Sequence, residues 1–318
     1  MIDSINLSLE YIYIDMNHLK KIGVKWRNNK EKTIIFFRYN GIAFRYYHKF
    51  GTLSLKTNTH KILKKNEITI SDKVEFIRIV NSVANEIFNT KNVLYYFKII
   101  RVDYYVDITV EELREIYIIL LKQHKSFYKF MIEKNEYDSS KYLRSSGKGL
   151  NLYDKQQETE DKKDPLIDWD YKLYRGVIRL EVQLYRSKLK YEEKEHYVER
   201  TIDTYWNEKA MIKYYFQFLE RYFYEGNYCH LDIAKDKIQN SSNRKDTKEK
   251  LITFIKKIVD DGIDSLKDSY CYNVIDRYTK KLNAIGVNLI TIDDKYNYDN
   301  LENLLNIARR TAEEKYFK

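Results

Sequence analysis

One proline, two cysteines, nine glycines and six histidines in 318 residues limit what this chain can be. Cys229 and Cys271 are too few, and too separately placed, for a disulfide framework or a thiolate zinc site, so a reducing cytoplasm is the expected setting. No run of about 18 apolar residues occurs, so no helix should span a membrane. The opening MIDSINLSLEYIYI alternates apolar and polar residues, unlike the continuous apolar core of a signal peptide.

What is abundant is ring and charge. A hydrophobic fraction of 43% and an aromatic fraction of 15% suit a folded globular protein and argue against disorder. The 57 Lys and Arg against 47 Asp and Glu leave a net charge of +10, which favours a polyanionic partner such as nucleic acid or an anionic membrane surface. Heavy use of Lys, Asn, Ile and Tyr is also what AT-rich codons supply, so charge alone does not assign the partner.

The pattern divides the chain into an α+β part, residues 1–200, and a helical part, residues 201–318. Strands are expected at Ile5–Tyr13, Thr33–Tyr39, Ile42–His48 and Thr52–Thr57, separated by NNK, NG and FG turns. Phe76, Ile77, Val80, Val83, Ala84 and Ile87 recur at helical spacing after an Asp72…Glu75 start signal. A strand at Ile99–Ile108 leads into a capping-box pattern, Thr109-Val-Glu-Glu112, opening a helix to about His124. A strand at Gly149–Lys155, a charged linker ETEDKKDP ending at Pro165, and a strand at Val177–Tyr185 complete this part. Beyond residue 200, Trp206, Ala210, Met211, Tyr214, Phe218, Leu219 and Tyr222 form one helical stripe. Further helices follow, one stopping at Gly286.

Side chains two apart on a strand share a face. That rule sets Arg101, Asp103, Tyr105 and Asp107 on one face, with Val102, Tyr104, Val106 and Ile108 on the other. Asn151, Tyr153 and Lys155 oppose Leu150 and Leu152, while Arg179, Glu181, Gln183 and Tyr185 oppose Ile178, Leu180, Val182 and Leu184. In TLSLKTN, Thr52, Ser54, Lys56 and Asn58 oppose Leu53 and Leu55. Each strand thus offers one apolar face and one polar face, which a solvated antiparallel sheet would also do. Carboxylates gathered on such a face suit a hard divalent cation, Mg²⁺ or Mn²⁺. A tyrosine is a poor nucleophile at its free pKa of about 10, and Lys155 is placed to supply positive charge to a phenolate or a phosphate.

The ordered set RVD (Arg101–Asp103), YDKQQE (Tyr153–Glu158) and RLE (Arg179–Glu181) resembles the rolling-circle replication initiators. The likeness is to the gene II/gene X proteins of filamentous phages and plasmids, and to the trans-acting replication initiation factors of Gram-positive plasmids. MIDSINL and SLKTNTHKIL add to the resemblance, which covers roughly residues 1–200. It implies an HUH-nickase-like core, a central antiparallel sheet with helices on one face and the active site on the other. A helical C-terminal domain for DNA binding or oligomerisation, including a possible homodimer, would follow.

By the same resemblance Tyr153 is the DNA-cleaving nucleophile, Lys155 and Glu158 assist it, and Asp103 and Glu181 hold the divalent metal. Tyr185 and Tyr191, each three before a lysine, are second candidates for the nucleophile. One departure from related nickases stands out: none of the six histidines forms their His-hydrophobic-His metal pair. Asp107 reads as a strand-end surface acid and His60 as an ordinary surface histidine. Arg101, Arg179, Lys56, Lys20, Lys21 and Arg27 are expected to contact DNA, and rings between Arg38 and Phe50 either stack bases or pack a β core. The implied partners are origin DNA, single-stranded at the nick and duplex for recognition, with a host helicase and polymerase. A relaxase of a mobile element, or a non-catalytic DNA-binding replication regulator, would share much of this pattern.

Overall fold

A computed structural model describes residues 1–124, 132–134, 139–162 and 171–317. The chain is an α+β protein built on one ten-stranded antiparallel sheet. The strands are β1 (Ile2–Leu9), β2 (Trp26–Asn28), β3 (Ile34–Tyr39), β4 (Ile42–Tyr47) and β5 (Thr52–Asn58). They continue with β6 (Lys98–Thr109), β7 (Ile132–Lys134), β8 (Ser140–Arg144), β9 (Lys148–Asp154) and β10 (Val177–Tyr185). Their spatial order is β2-β3-β4-β5-β1-β6-β10-β9-β8-β7, so two meanders meet at the central β1–β6–β10 strands. Pro165 and the end of the charged linker lie outside the described residues; the linker's first part is helical.

The two-residue alternation is obeyed on both sides of the sheet. Ile35, Phe37, Ile42, Phe44, Leu53 and Leu55 are buried on the apolar face, as are Val102, Val106, Leu180, Val182 and Leu152. Helices cover this face. Among them α1 (Met16–Lys21) and α2 (Thr59–Leu63) are short, and α3 (Lys73–Phe88) buries Phe76, Val80, Val83, Ala84 and Ile87. Each of the larger of these side chains contributes roughly 1.5–3 kcal/mol by leaving water. α2 is the exception in position, because its His60 packs on the polar side, against Tyr105. α4 (Arg114–Gln123), α5 (Lys155–Lys162) and α6 (Arg186–His196) complete this half.

The helices after residue 200 are anchored to the same sheet. The Tyr104 hydroxyl donates to the Tyr205 carbonyl at 2.6 Å, and the Tyr215 hydroxyl donates to the Leu180 carbonyl at 3.1 Å. One continuous hydrophobic cluster runs from Met1 to Tyr316 across both halves. Among the described residues no helix is long and apolar enough to cross a membrane.

Several elements differ from the sequence expectation, among them the strands β2, β7 and β8, which it did not include. β1 begins at Ile2 instead of Ile5, which brings Asp3 and Ser4 onto the sheet. The helix expected from Thr109 starts only at Arg114, because β6 runs through Thr109 and the chain then bends against Gly176. A Cβ on Gly176 would lie 2.4 Å from the Glu111 Cα, and the Gly176 carbonyl accepts the Val110 N–H at 2.9 Å. That partner is 66 positions away by subtraction and no local pattern announces it. The stripe from Trp206 to Tyr222 is carried largely by one helical run, residues 208–219, whose middle is a π-turn at Ile212–Phe216. Tyr214, Tyr215 and Phe216 are consecutive and all buried, which a regular 3.6-residue turn does not permit on one face.

The junction of α4 with the later helices is a test of folding electrostatics. His124 caps α4 and is fully buried among the rings of Tyr222, Phe223, Tyr224 and Tyr228. Burial, with the nearby Lys141 ammonium, lowers its pKa from 6.5 to about 3. The unfolded chain therefore binds a proton that the folded one refuses across that window, and stability falls as the pH drops through it. Urea titrations of His124→Gln should show an acid limb shallower than wild type by up to about 1.4 kcal/mol per pH unit.

Candidate active site

Register places the polar side chains of three adjacent strands together. Asp107 on β6 faces Arg179 on β10, which faces Tyr153 on β9. Glu181 lies between Tyr105 and Asn151, and Asp103 lies between Gln183 and Ser4. Tyr153, Glu181, Arg179, Asp107, Asp103 and Arg101 thus share one face, as the alternation required.

Arg179 is the centre of this cluster. Its side chain is 1% exposed, and its guanidinium donates to both Asp107 oxygens at 2.6 and 2.7 Å and to Asp3 at 2.8 Å. It also lies 4.1 Å from the centre of the Tyr105 ring. Asp3 reaches it from a β-bulge: Ile2 pairs with Tyr104 and Ser4 with Asp103, so Asp3 is the extra residue, turned onto the polar face. Burial alone would raise the Asp107 and Asp3 carboxyls, yet Arg179 holds both below the usual range. Arg179 was expected to meet DNA; it lies instead beneath the surface and holds the acids. Asp107 is likewise no free surface acid.

Tyr153 is 8% exposed, and its hydroxyl donates to Glu181 Oε2 at 3.5 Å, a long hydrogen bond of the kind that catalytic pairs show before substrate arrives. Burial drives its pKa well above 10; Arg179 opposes that, and Glu181 adds to it. Glu181 is itself pushed up to about 8, first by burial and then by the charges of Asp103 and Asp3. A carboxylate titrating near neutrality beside a phenol is poised to accept its proton.

Lys155 departs from the expected strand, since β9 ends at Asp154 and Lys155 opens α5. Its ammonium nevertheless reaches the rings of Tyr153 and Tyr174, 5.8 and 5.4 Å from their centres, and pairs with Glu158 at 2.6 Å. The expected linker beginning at Glu158 is thus the body of α5. Glu158 faces Lys155, three residues before it on α5.

Asp103 stands on the other side of Glu181. It accepts from Arg101 Nε at 2.8 and 3.0 Å and from the Ser4 hydroxyl, and burial raises its pKa against the pull of Arg101. Among the described residues no group of three or more His, Cys, Asp or Glu side chains is arranged to hold a metal ion. Magnesium, however, is commonly bound by one or two carboxylates completed by water and substrate phosphate. Asp103 and Glu181 are both buried and both raised, so their ionised forms lack compensating charge that such an ion would supply. The pair fits that donor set.

Other expected residues divide by side of the sheet. Lys56 and Arg27 are exposed on the polar face. Lys20 and Lys21 are on α1, tied by the His18 ring to the Glu86 carbonyl of α3 at 2.7 Å, and belong to the opposite, helical layer. Tyr191 is exposed on α6. Tyr185 ends β10, where its hydroxyl meets Gln183 at 2.6 Å and Tyr142 at 2.8 Å, and its ring lies between Arg101 and Arg144. Gly149 leaves room for that hydroxyl, because a Cβ there would approach it to 2.4 Å.

His60 is no surface histidine. It is buried, 3.7 Å from Asp3, with its ring against Tyr105, and its pKa is lowered to about 4, chiefly by burial. The buried Tyr105 hydroxyl has no hydrogen-bond partner among the described residues, a common mark of a site that binds something. Asp3 was not singled out from the sequence, Tyr105 was placed on the polar face without a role, and His60 was read as a surface histidine. Their only signal there was their place in segments already noted, MIDSINL, SLKTNTHKIL and RVDYYVD. No protein-family model and no curated protein matches this chain.

Two measurements follow from the charge balance. Arg179→Met leaves Asp107 and Asp3 buried without their cation and should cost about 3–5 kcal/mol in a urea titration. Glu181 behaves oppositely. Its folded pKa of about 8 exceeds the ordinary 4.5, so its burial costs stability increasingly as pH rises through that window. In chelator, Glu181→Gln should therefore gain stability over wild type between pH 5 and pH 8. Mn²⁺ should raise the melting temperature of the wild-type protein, and Glu181→Gln should lose that rise.

Proposed function

We propose that this chain is a site-specific nickase and strand transferase for single-stranded DNA that initiates rolling-circle replication in the cytoplasm. The observation that carries the reading is the Tyr153 hydroxyl donating to Glu181 at 3.5 Å within a cluster that also contains Lys155 and Arg179. A buried phenol with a base tuned toward neutrality and two cations nearby suits attack on a phosphodiester better than it suits structural support.

In the proposed reaction the Tyr153 oxygen attacks the scissile phosphorus as Glu181 takes the phenolic proton. The bond from phosphorus to the 3′ oxygen breaks, and that oxygen takes a proton from water. The products are a 5′-phosphotyrosyl link and a free 3′-hydroxyl able to prime a polymerase. Because one phosphoester replaces another, the reverse attack by a 3′-hydroxyl rejoins the strand without ATP. Lys155, now paired with Glu158, exchanges that carboxylate for the substrate phosphate and faces its developing charge. Arg179 acts one step back, as a positioning residue that fixes Asp107, Asp3 and the Tyr105 ring. A divalent cation held by Asp103 and Glu181 would supply neutralising charge to the phosphoryl oxygens.

Glu181 therefore has two uses in this reading, proton acceptor and metal ligand, where the sequence suggested only the second. A relaxase would use the same chemistry at a transfer origin, so the genes beside this one distinguish the two settings.

The test is incubation with Mn²⁺ or Mg²⁺ and labelled oligonucleotides from the protein's own replicon, followed by denaturing electrophoresis. Wild type should form a covalent adduct; Tyr153→Phe should form none and bind DNA as before; Tyr185→Phe should retain it. An adduct that survives in Tyr153→Phe and vanishes in Tyr185→Phe would transfer the role to Tyr185. Salt-sensitive binding with no adduct in any condition would mean a non-catalytic regulator.

A further inference from the structure

The polar face is roofed over β6, β10 and β9 but open over β2 to β5. There Phe36, Ala43 and Ser54 are partly exposed, and Arg27, Arg38, Arg45 and Lys56 are exposed. Their register makes two rows across the strands. One runs from Arg38 through Ala43, Lys56 and Asn6 to Arg101. The other runs from Arg27 through Phe36 and Arg45 to Ser54 and Ser8. Four strand spacings separate Arg38 from Arg101, about 19 Å along the first row.

Several features distinguish this strip from an ordinary solvated face. Among the described residues Arg27, Arg38, Arg45 and Lys56 form no salt bridge, while basic residues elsewhere, such as Lys98, Arg186 and Arg200, are paired with acids. An antiparallel sheet face usually sets opposite charges across from each other; this one alternates cations with neutral side chains, with no acid in either row. The one aromatic side chain in the rows, Phe36, lies between two guanidiniums, Arg27 and Arg45, each 5.7 Å from its ring centre. The first row ends at Arg101, whose guanidinium holds Asp103 at 2.8 Å.

We infer that this open strip is a track for single-stranded DNA, leading the strand across β3, β4, β5 and β1 toward Asp103 and Tyr153. The cations meet successive phosphates, and the Phe36 ring is the platform on which a base stacks. Duplex DNA is the poorer fit, because paired bases cannot stack on a side chain lying flat on a sheet. The inference deepens the nicking reading and rests on it for the choice of DNA over RNA.

The probe is a fluorescent twenty-nucleotide oligothymidylate, which carries no origin sequence, titrated by anisotropy across a range of salt. The triple variant Arg38→Gln/Arg45→Gln/Lys56→Gln should bind at least about tenfold more weakly at moderate salt. Its plot of log affinity against log salt should be shallower by about 2, three phosphates at roughly 0.7 each. Phe36→Ala should lose about fivefold or more with its salt slope unchanged. In the wild-type protein an iodouracil-substituted oligonucleotide should cross-link to the peptide containing Phe36, which tests the track without any variant.

An unchanged affinity and slope in the triple variant, or cross-links only elsewhere, would overturn the inference. So would duplex DNA or oligouridylate binding tighter than the oligothymidylate and losing as much in the variant. The two readings separate cleanly. Loss of binding in the strip variants with no adduct from wild type leaves the track standing and removes the nickase; an adduct with strip variants that bind normally does the reverse.

Discussion

A single buried guanidinium organises the polar half of this protein. Arg179 has been taken out of water, which is costly unless its charge is matched and its donors are satisfied. Asp107 and Asp3 meet both demands, one from the neighbouring strand and one from a bulge in the strand beyond. The Tyr105 ring beneath adds a cation–π surface. Fixing Arg179 fixes its cross-strand neighbour Tyr153, and with it the phenol's direction toward Glu181. The remaining acids, Glu181 and Asp103, have no share of that guanidinium's hydrogen bonds. Burial raises both, and Asp103 takes the Arg101 guanidinium instead.

Much of this was legible, for a physical reason. A strand's side chains alternate whatever its neighbours are, so RVDYYVDI, LNLY and VIRLEVQLY each declare a polar face from local sequence alone. Antiparallel pairing then requires the faces to coincide, since a slip by one residue would bury the charges among the helices. What stayed hidden depends on distant pairing. Nothing near Asp3 reveals the bulge that aims it at Arg179, and nothing near His60 reveals that α2 turns it in against Tyr105. The Thr109 capping box was read as a helix start, but Thr109 ends β6 and Glu111 takes a left-handed φ of 47°, so the regular helix begins only at Arg114.

Lys155 shows how a right consequence can come from a wrong element. Placed on the strand, it would share Tyr153's face by alternation; placed at the start of α5, it reaches the same ring because the helix turns back over the sheet. The two arrangements differ in what they allow. A strand lysine two residues from a tyrosine is held by the sheet, whereas one in the first turn of a short, charged helix can shift with that helix. Its present partner is Glu158, in the same helix, so a shift of α5 would carry ammonium and carboxylate together.

The polar face as a whole has a gradient. Over β2 to β5 it is open and its cations have no acid partner among the described residues; over β6, β10 and β9 it is closed, and Arg179, Arg101 and Lys155 are each paired with a carboxylate. A strand on the proposed track would therefore meet unpaired cations first and paired ones at Arg101, beside Asp103. In the proposed reaction a divalent ion would bring positive charge to Asp103 and Glu181 and hold both as carboxylates, because ligation requires the deprotonated form. A phenol raised far above its ordinary pKa then remains a neutral hydrogen-bond donor until a phosphate and its counter-ion arrive together, which restrains attack on DNA that has only come to rest along the open strip.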